Sequence, residues 1–529
     1  MALKAARRSA IAPFIVMDVL RAATARDRAA RGPGERAVHL EIGQPGEGAP
    51  AAVLDAAARA LREDRLGYTE TLGLPRLRER IAAHYRAVHG IDVPAGRVVV
   101  TTGSSGAFIL SFLAAFDAGD RVAIADPGYP AYRNILSALG VEVVGIPADA
   151  GDRYQPTVER LEAAGRLDGL IVASPANPTG TMLDAAQLAA LGAWCARRGV
   201  RMVSDEIYHG IVYGEPAATA AAIAPEAIVI NSFSKYFAMT GWRLGWMVVP
   251  EDLLRPVEVL AQNLFISPPS LPQHAAIAAF DCVAELDARV GVYRANRDLL
   301  LRELPRAGFS TFAPADGAFY LYCDVGHMTN DSAEFCRRML DEAGVAATPG
   351  TDFDPGRGAR HVRFSFAGSP ADMAEACARL RRWRAAAGCA RRPRSPTPEK
   401  RPARGAARPP ARREAGWPQL VSLRHQPRRG GPCGSGSGSG CAGGAGSAEA
   451  GAAGCAASGA GGFASGAAAG RAAAGASIAA AGGCAAGGAA SAACSGLRFH
   501  GQACSSAGTG ATTGAGATGS AAPKRPCWP

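Results

Sequence analysis

The sequence predicts an α/β protein with a large domain, in which helices flank a mostly parallel seven-stranded sheet, and a small α+β domain. Two observations lead to this prediction. Seven short apolar runs lie between residues 98 and 249, and helical stretches separate most of them, which is the rhythm of β-α-β units. From about residue 285 the order changes to a long helix, a strand, a helix, a second strand and a final helix.

These patterns divide the chain into four segments. Residues 51–285 are predicted to form the large domain and residues 286–388 the small domain, and residues 1–50 are expected to join the small domain. After residue 388 the chain becomes rich in Arg and Pro, and then consists almost purely of Gly, Ala, Ser and Cys. Such a sequence has too few large apolar side chains to form a core, so residues 389–529 are predicted to be a disordered tail.

The elements of the N-terminal segment and of the large domain follow from apolar periodicity and composition. Helices are expected over residues 11–31, 51–63 and 108–116. The seven predicted strands are residues 98–102, 122–125, 141–146, 170–173, 201–204, 228–230 and 246–249. In the small domain the predicted elements after the long helix are a strand at 317–322, a helix at 332–343, a strand at 362–367 and a helix at 370–386.

The positive charge of the chain comes from its tail. The net charge of the chain is +11, but residues 390–529 carry 16 Lys and Arg and 3 Asp and Glu. The first 389 residues therefore carry 41 Lys and Arg and 43 Asp and Glu. The charge balance therefore indicates nothing about partners of the folded part. The Arg/Pro stretch at 391–429 contains no recognition motif, so no specific nucleic-acid partner is expected.

The cysteines and the apolar runs indicate a reducing, cytoplasmic location. Cysteines outside the tail show no CxxC pair and no metal-ligand spacing with His, so reduced thiols and no metal site are expected. No apolar run approaches the ~20 residues of a membrane span. Near the start, Pro13 and Asp18 interrupt an apolar run that follows basic residues, which argues against a signal peptide.

Polar loops follow the predicted strands. Residues 102–106 (Thr-Gly-Ser-Ser-Gly) lead into a helix, whose free N–H groups and dipole form a seat for an anion. Residues 126–132 supply an aromatic ring, residues 174–180 an amide, and residues 204–208 a carboxylate. Each loop alone also fits a plain turn, a lid on the core or a helix cap. Together they lie at the carboxyl ends of strands, where open α/β sheets bind ligands.

Lys235 follows the strand at 228–230, and a lone lysine there is usually only an exposed charge. Here it lies between Ser232 and Ser234, and Arg243 follows eight positions later. Lys235 can form an imine with an aldehyde, while the two serines and Arg243 hold an anion. Pyridoxal 5'-phosphate (PLP) presents both groups in one molecule.

These loops, in this order, resemble the class I/II aminotransferases, which have the type I PLP-enzyme fold. The resemblance covers about residues 11–388 and none of the tail. It implies PLP as the cofactor, with Lys235 as its covalent anchor and general base, Asp205 paired with the pyridine nitrogen, and Tyr129 stacked on the ring. Asn177 and Tyr208 would donate hydrogen bonds to the phenolic oxygen.

The resemblance also implies the remaining contacts. The phosphate would be bound by Ser104, Ser105, Ser232, Ser234 and Arg243. Tyr68 would reach the phosphate of a neighbouring subunit, which implies a homodimer with shared active sites. Arg363, in an R-x-S-F-A strand, would bind the α-carboxylate of the substrate in a bidentate pair, with Gly43 and Asn177 beside it.

The implied reaction moves an amino group from an L-amino acid to a 2-oxo acid by a ping-pong mechanism. A C–S β-lyase would use the same residues and differ in its side-chain pocket. A PLP-sensing transcription regulator also resembles this chain, but such proteins carry an N-terminal helix-turn-helix domain, and only about ten residues precede the first predicted helix.

Overall fold

The computed structural model describes residues 3–390. Its strands are β1 (Val38–His39), β2 (Val98–Thr101), β3 (Arg121–Asp126), β4 (Glu142–Pro147), β5 (Gly169–Ala173), β6 (Arg201–Asp205), β7 (Ile228–Ser232), β8 (Gly245–Val248), β9 (Thr311–Phe312), β10 (Tyr320–Asp324), β11 (Val345–Ala346), β12 (Thr348–Pro349) and β13 (His361–Ser365). Its α-helices are α1 (Ile15–Ala29), α2 (Ala51–Glu63), α3 (Pro75–His89), α4 (Gly103–Ala115), α5 (Pro130–Leu139), α6 (Val158–Ala163), α7 (Ala185–Arg198), α8 (Ala220–Ile223), α9 (Glu251–Leu264), α10 (Ser270–Ala279), α11 (Val283–Glu303), α12 (Ser332–Arg338) and α13 (Pro370–Ala390).

The large sheet has seven strands in the order β2-β8-β7-β6-β5-β3-β4. Only β8 runs antiparallel to its neighbours, so the prediction of a mostly parallel seven-stranded sheet is confirmed. Successive residues of a strand pack into cores on opposite faces, with Val98 and Val100 in one core and Val99 in the other. Helices cover both faces, which explains why these strands are continuous apolar runs in the sequence.

The small domain is built on a four-stranded antiparallel sheet in the order β12-β13-β10-β9. The N-terminal segment reaches this domain through β1, which pairs in parallel with β11. The assignment of residues 1–50 to the small domain and the domain boundaries at 50, 285 and 388 stay predictions. The N-terminal helix α1 is shorter than the predicted 11–31, because its first N–H groups meet a carboxylate of the small domain at Ile15.

The predicted disordered tail lies outside the described residues, except for residues 389 and 390, which continue α13. Within residues 3–390, no helix combines the length and the apolar character needed to cross a membrane.

Candidate active site

One cavity lies where the strands β2, β3, β5, β6 and β7 end, and the small domain and the N-terminal segment close it. It brings together eleven of the thirteen site residues expected from the sequence. They are Gly43, Ser104, Ser105, Tyr129, Asn177, Asp205, Tyr208, Ser234, Lys235, Arg243 and Arg363. The parallel sheet explains this convergence, because the carboxyl ends of its strands lie at one edge.

Two expected residues do not line the cavity. Ser232 is buried behind it, with its hydroxyl 2.9 Å from the Ser234 hydroxyl and 3.0 Å from the Leu244 carbonyl oxygen. Tyr68 lies in the loop before α3 and is 83% exposed. The cavity of the described chain is therefore formed without the Tyr68 side chain.

The start of α4 and Arg243 form one end of the cavity. Gly103 begins α4 with a φ of +70°, and a Cβ atom built there would lie 2.6 Å from Arg243 Nη2. A side chain at this position would thus displace the guanidinium, so a glycine is required. Arg243 Nη1 donates a hydrogen bond to the Thr240 carbonyl oxygen at 3.1 Å. Free N–H groups of the helix start and a guanidinium together form a seat for an anion.

Lys235 lies in the middle of the cavity. Its Nζ donates a hydrogen bond of 2.6 Å to the Gly43 carbonyl oxygen. Burial, together with the positive charges of Arg363 and Arg243, lowers the pKa of the Lys235 ammonium to about 8, against an opposing effect of Asp205. A neutral amine is therefore accessible near physiological pH.

Asp205 ends β6 and is buried. The Tyr132 hydroxyl donates a hydrogen bond to Oδ2, and the Ile207 N–H donates one to Oδ1 at 3.1 Å. Burial raises the pKa of the Asp205 carboxyl to about 6, and these two hydrogen bonds limit the rise. The carboxyl is thus ionised at neutral pH. Tyr132 belongs to the predicted loop at 126–132, but the sequence does not identify its hydrogen bond to Asp205.

Arg363 lines the cavity among other neighbours than Arg243. Its Nη1 donates to Asn177 Oδ1 at 2.9 Å, and its Nη2 donates to Thr348 Oγ1 at 3.1 Å and to the Glu41 carbonyl oxygen. Among the described residues, its buried Nε has no hydrogen-bond partner. A buried N–H without a partner, on a guanidinium that other hydrogen bonds hold in place, is suited to donate a hydrogen bond to a bound anion.

Tyr320 of the small domain is a cavity residue that sequence reasoning missed. Its ring lies 4.5 Å from the Arg363 guanidinium carbon, and its hydroxyl is 2.6 Å from the Tyr208 hydroxyl. A Cβ atom on Gly43 would lie 1.8 Å from the Tyr320 hydroxyl oxygen, which explains the glycine at 43. The aromatic run at 319–322 was the available signal, but it also fits a plain core strand.

The charges of the cavity fit PLP and an amino acid. Lys235, Arg243 and Arg363 form no ion pair with any carboxylate in the described part of the chain. Among residues 3–390, Asp205 is the one acidic side chain that lines the cavity with them. Such a surplus of cations at two separate ends suits two anions. The seat at Arg243 fits the phosphate of PLP, and Arg363 fits a carboxylate.

Comparison with known proteins agrees with this geometry. Residues 35–380 match the family described as aminotransferase class I and II. The chain is a class I/II aminotransferase. This family is PLP-dependent, so the predictions of PLP as the cofactor and of transamination as the reaction are confirmed.

Several relatives of this aminotransferase have assigned activities. A valine–pyruvate aminotransferase of Mycobacterium tuberculosis is 52% identical over 385 residues, which cover 72% of this chain and 98% of the relative. A crystal structure of an aminotransferase from the same organism has 51% identity and a TM-score of 0.71, over 73% of this chain and all of the other. The structure of Thermus thermophilus aspartate aminotransferase with maleate has 32% identity and a TM-score of 0.68, and the match covers 72% of this chain and 100% of the other.

Proposed function

We propose that this aminotransferase transfers the amino group of valine, or of an aliphatic amino acid of similar size, to pyruvate by a ping-pong mechanism. The observation that carries the proposal is an apolar wall on the cavity, formed by Phe14, Val16, Met17 and Ile42. The name of the 52%-identical relative, a valine–pyruvate aminotransferase, supports the same substrates.

The apolar wall favours an aliphatic substrate over an acidic one. Burial of a methyl or methylene group against it stabilises the complex by roughly 0.8 kcal/mol. A side-chain carboxylate would lose its water there without gaining a cation, because Arg243 and Arg363 lie at the phosphate and α-carboxylate ends. An unpaired buried charge is strongly unfavourable.

In this proposal, most of the cavity residues bind and orient the cofactor and the substrate. The α4 N-terminus, Ser104, Ser105, Ser234 and Arg243 hold the phosphate, and Ser232 supports Ser234 from behind. Tyr129 would cover one face of the pyridine ring of PLP, and Asn177 and Tyr208 would donate hydrogen bonds to the phenolic oxygen of the cofactor. Burial raises the pKa of the Tyr208 hydroxyl well above its ordinary value, so it stays a donor at neutral pH.

The proton chemistry is assigned to two residues. Bound PLP withdraws electrons from the substrate Cα. Lys235 would hold PLP covalently through its Nζ in the resting enzyme, and as a neutral amine it would accept the Cα proton of the bound substrate. The ionised Asp205 holds a proton on the ring nitrogen. Arg363 binds the α-carboxylate, with Gly43 and Asn177 beside it.

We further propose a cytoplasmic homodimer. Tyr68 would then bind the phosphate in the partner's cavity, and its 83% exposure in the single subunit suits such a contact. The described cysteines Cys195, Cys282, Cys323, Cys336 and Cys377 are free thiols, which suits a reducing compartment. Light scattering should give twice the mass of the chain, and Tyr68→Phe should weaken PLP binding without changing that mass. A monomer with full activity would contradict the dimer.

Half-reactions test the proposed substrates. Purified enzyme is mixed with valine, alanine, aspartate or arginine, and the cofactor absorbance is followed, with pyruvate and 2-oxoglutarate compared in the reverse half. Valine should exceed aspartate in kcat/KM by roughly 4- to 15-fold, the factor for one or two buried methylene groups. A preference for aspartate or arginine would contradict the proposal. Release of a thiol, ammonia and pyruvate from a cysteine S-conjugate, with no 2-oxo acid added as amino acceptor, would instead indicate a β-lyase.

A further inference from the structure

The start of α1 is held by a residue more than 300 positions away. The N–H groups of Ile15 and Val16 donate hydrogen bonds to Asp352 Oδ1 at 3.1 Å and Oδ2 at 3.2 Å. The residue before the helix, Phe14, is extended and makes no side-chain cap. Asp352 therefore caps the N-terminus of α1 although it is distant in sequence, and its negative charge interacts favourably with the positive end of the helix dipole.

Asp352 belongs to the same part of the small domain as Arg363. It lies in a short helical turn, Gly350–Asp352, directly after β12. In the sheet, Thr348 of β12 lies opposite Arg363 of β13, and its hydroxyl also accepts a hydrogen bond from that arginine. Asp352 is itself buried, with 4% exposure. The turn thus links the proposed α-carboxylate binder to the start of α1 through a few buried residues.

The residues at the start of α1 are those that form the wall. Phe14, Val16 and Met17 line the cavity, and Ile15 and Val16 are the residues whose N–H groups Asp352 holds. When Arg363 binds the α-carboxylate, the side chain of the substrate meets a wall whose position depends on Asp352. The hydrogen bonds from Ile15 and Val16 to Asp352 would then determine the size of the substrate side chain that fits in the cavity.

We propose that Asp352 is a positioning residue for substrate specificity, which places the apolar wall of α1 at a fixed distance from Arg363. The inference rests on the proposed function, since it takes Arg363 as the binder of the α-carboxylate. Asp352 does not line the cavity. It acts through Phe14, Val16 and Met17.

The test compares Asp352→Asn with a matched control, Asp354→Asn. Asp354 is equally buried, at 4%, but it accepts hydrogen bonds from its own loop, namely from the N–H groups of Gly356 and Arg357 and from Arg357 Nε. Asparagine preserves the shape of Asp352 and removes its charge and one acceptor oxygen. If Asp352→Asn folds poorly, Val16→Ala removes part of the wall directly and should change specificity in the same direction.

Two measurements are made on the PLP-loaded enzymes. The ratio of kcat/KM for valine to that for alanine should fall about fivefold in Asp352→Asn, the factor that one lost helix cap corresponds to. Alanine itself should change little, because its methyl group depends less on the wall. Hydrogen exchange, followed by mass spectrometry, should become faster in peptides that contain Ile15 and Val16. The Asp354→Asn control should match wild type in both measurements.

The outcomes separate this inference from the proposed function. If another amino acid is the preferred substrate, the proposed function fails, while faster exchange at α1 and a changed ratio of that amino acid to alanine still support Asp352. An unchanged ratio and unchanged exchange in Asp352→Asn would overturn the inference. Equal effects of the Asp352 and Asp354 changes would also overturn it, because the cause would then be general loosening of the loop.

Discussion

Replacing Arg363 with lysine separates recognition of the α-carboxylate from the rest of the chemistry. The guanidinium is 2% exposed, is held by Asn177, Thr348 and the Glu41 carbonyl oxygen, and has a buried Nε without a partner among the described residues. A lysine keeps the charge but is a point donor that cannot make the bidentate pair. Loss of one charge-assisted hydrogen bond costs about 1.5–3 kcal/mol. Arg363→Lys should therefore lower kcat/KM for valine roughly 10- to 150-fold.

The assay compares two substrates that differ only in the carboxylate. The half-reaction is followed with valine and with 2-methylpropan-1-amine, which has the same side chain and amine. The amine should react at nearly the wild-type rate, because Arg363 has nothing to bind in it. Arg297 provides a control, since its guanidinium carbon lies 4.5 Å from the Tyr213 ring and outside the cavity, so Arg297→Lys should leave both rates unchanged. An equal loss for valine and the amine in Arg363→Lys would refute the assignment.

Three further predictions concern the cofactor and the tail. Lys235→Ala should lower turnover by at least about 100-fold, since it removes the general base. Borohydride reduction of this variant should no longer leave PLP attached to the chain. If PLP stayed attached, another residue would be its covalent anchor. PLP binding to the apoenzyme should weaken as the pH falls through about 6, where Asp205 becomes protonated. Asp205→Asn should abolish this pH dependence of PLP binding and lower turnover by about 100-fold. Near wild-type turnover in this variant would contradict the role of Asp205 at the ring nitrogen. A chain that ends at Ala390 should keep its absorbance spectrum and its transaminase rate, and loss of folding would show that the tail belongs to the core.

Local sequence was sufficient to predict the large sheet and most of the cavity. Buried parallel strands are recognisable as short apolar runs, and the topology of such a sheet places the loops after them at one edge. Together with the resemblance to class I/II aminotransferases, this topology assigned the loop residues Tyr129, Asn177 and Asp205 to one site before any contact was known. Glycines 43 and 103 were visible as loop residues, but only the neighbouring Tyr320 hydroxyl and Arg243 guanidinium explain why a side chain is excluded there.

Tertiary structure decided the features that depend on contacts between distant segments. The sequence could not place Ser232 behind the cavity, because the Leu244 carbonyl oxygen that accepts a hydrogen bond from its hydroxyl lies 12 positions further along the chain, just before β8. It could not identify Tyr320 as a cavity residue, since an aromatic residue in a small-domain strand fits a core equally well. The start of α1 depends on Asp352, 337 positions from Ile15. Periodicity reports which face of an element is apolar, whereas the partner that this face or helix end meets is set by the packing of the whole chain.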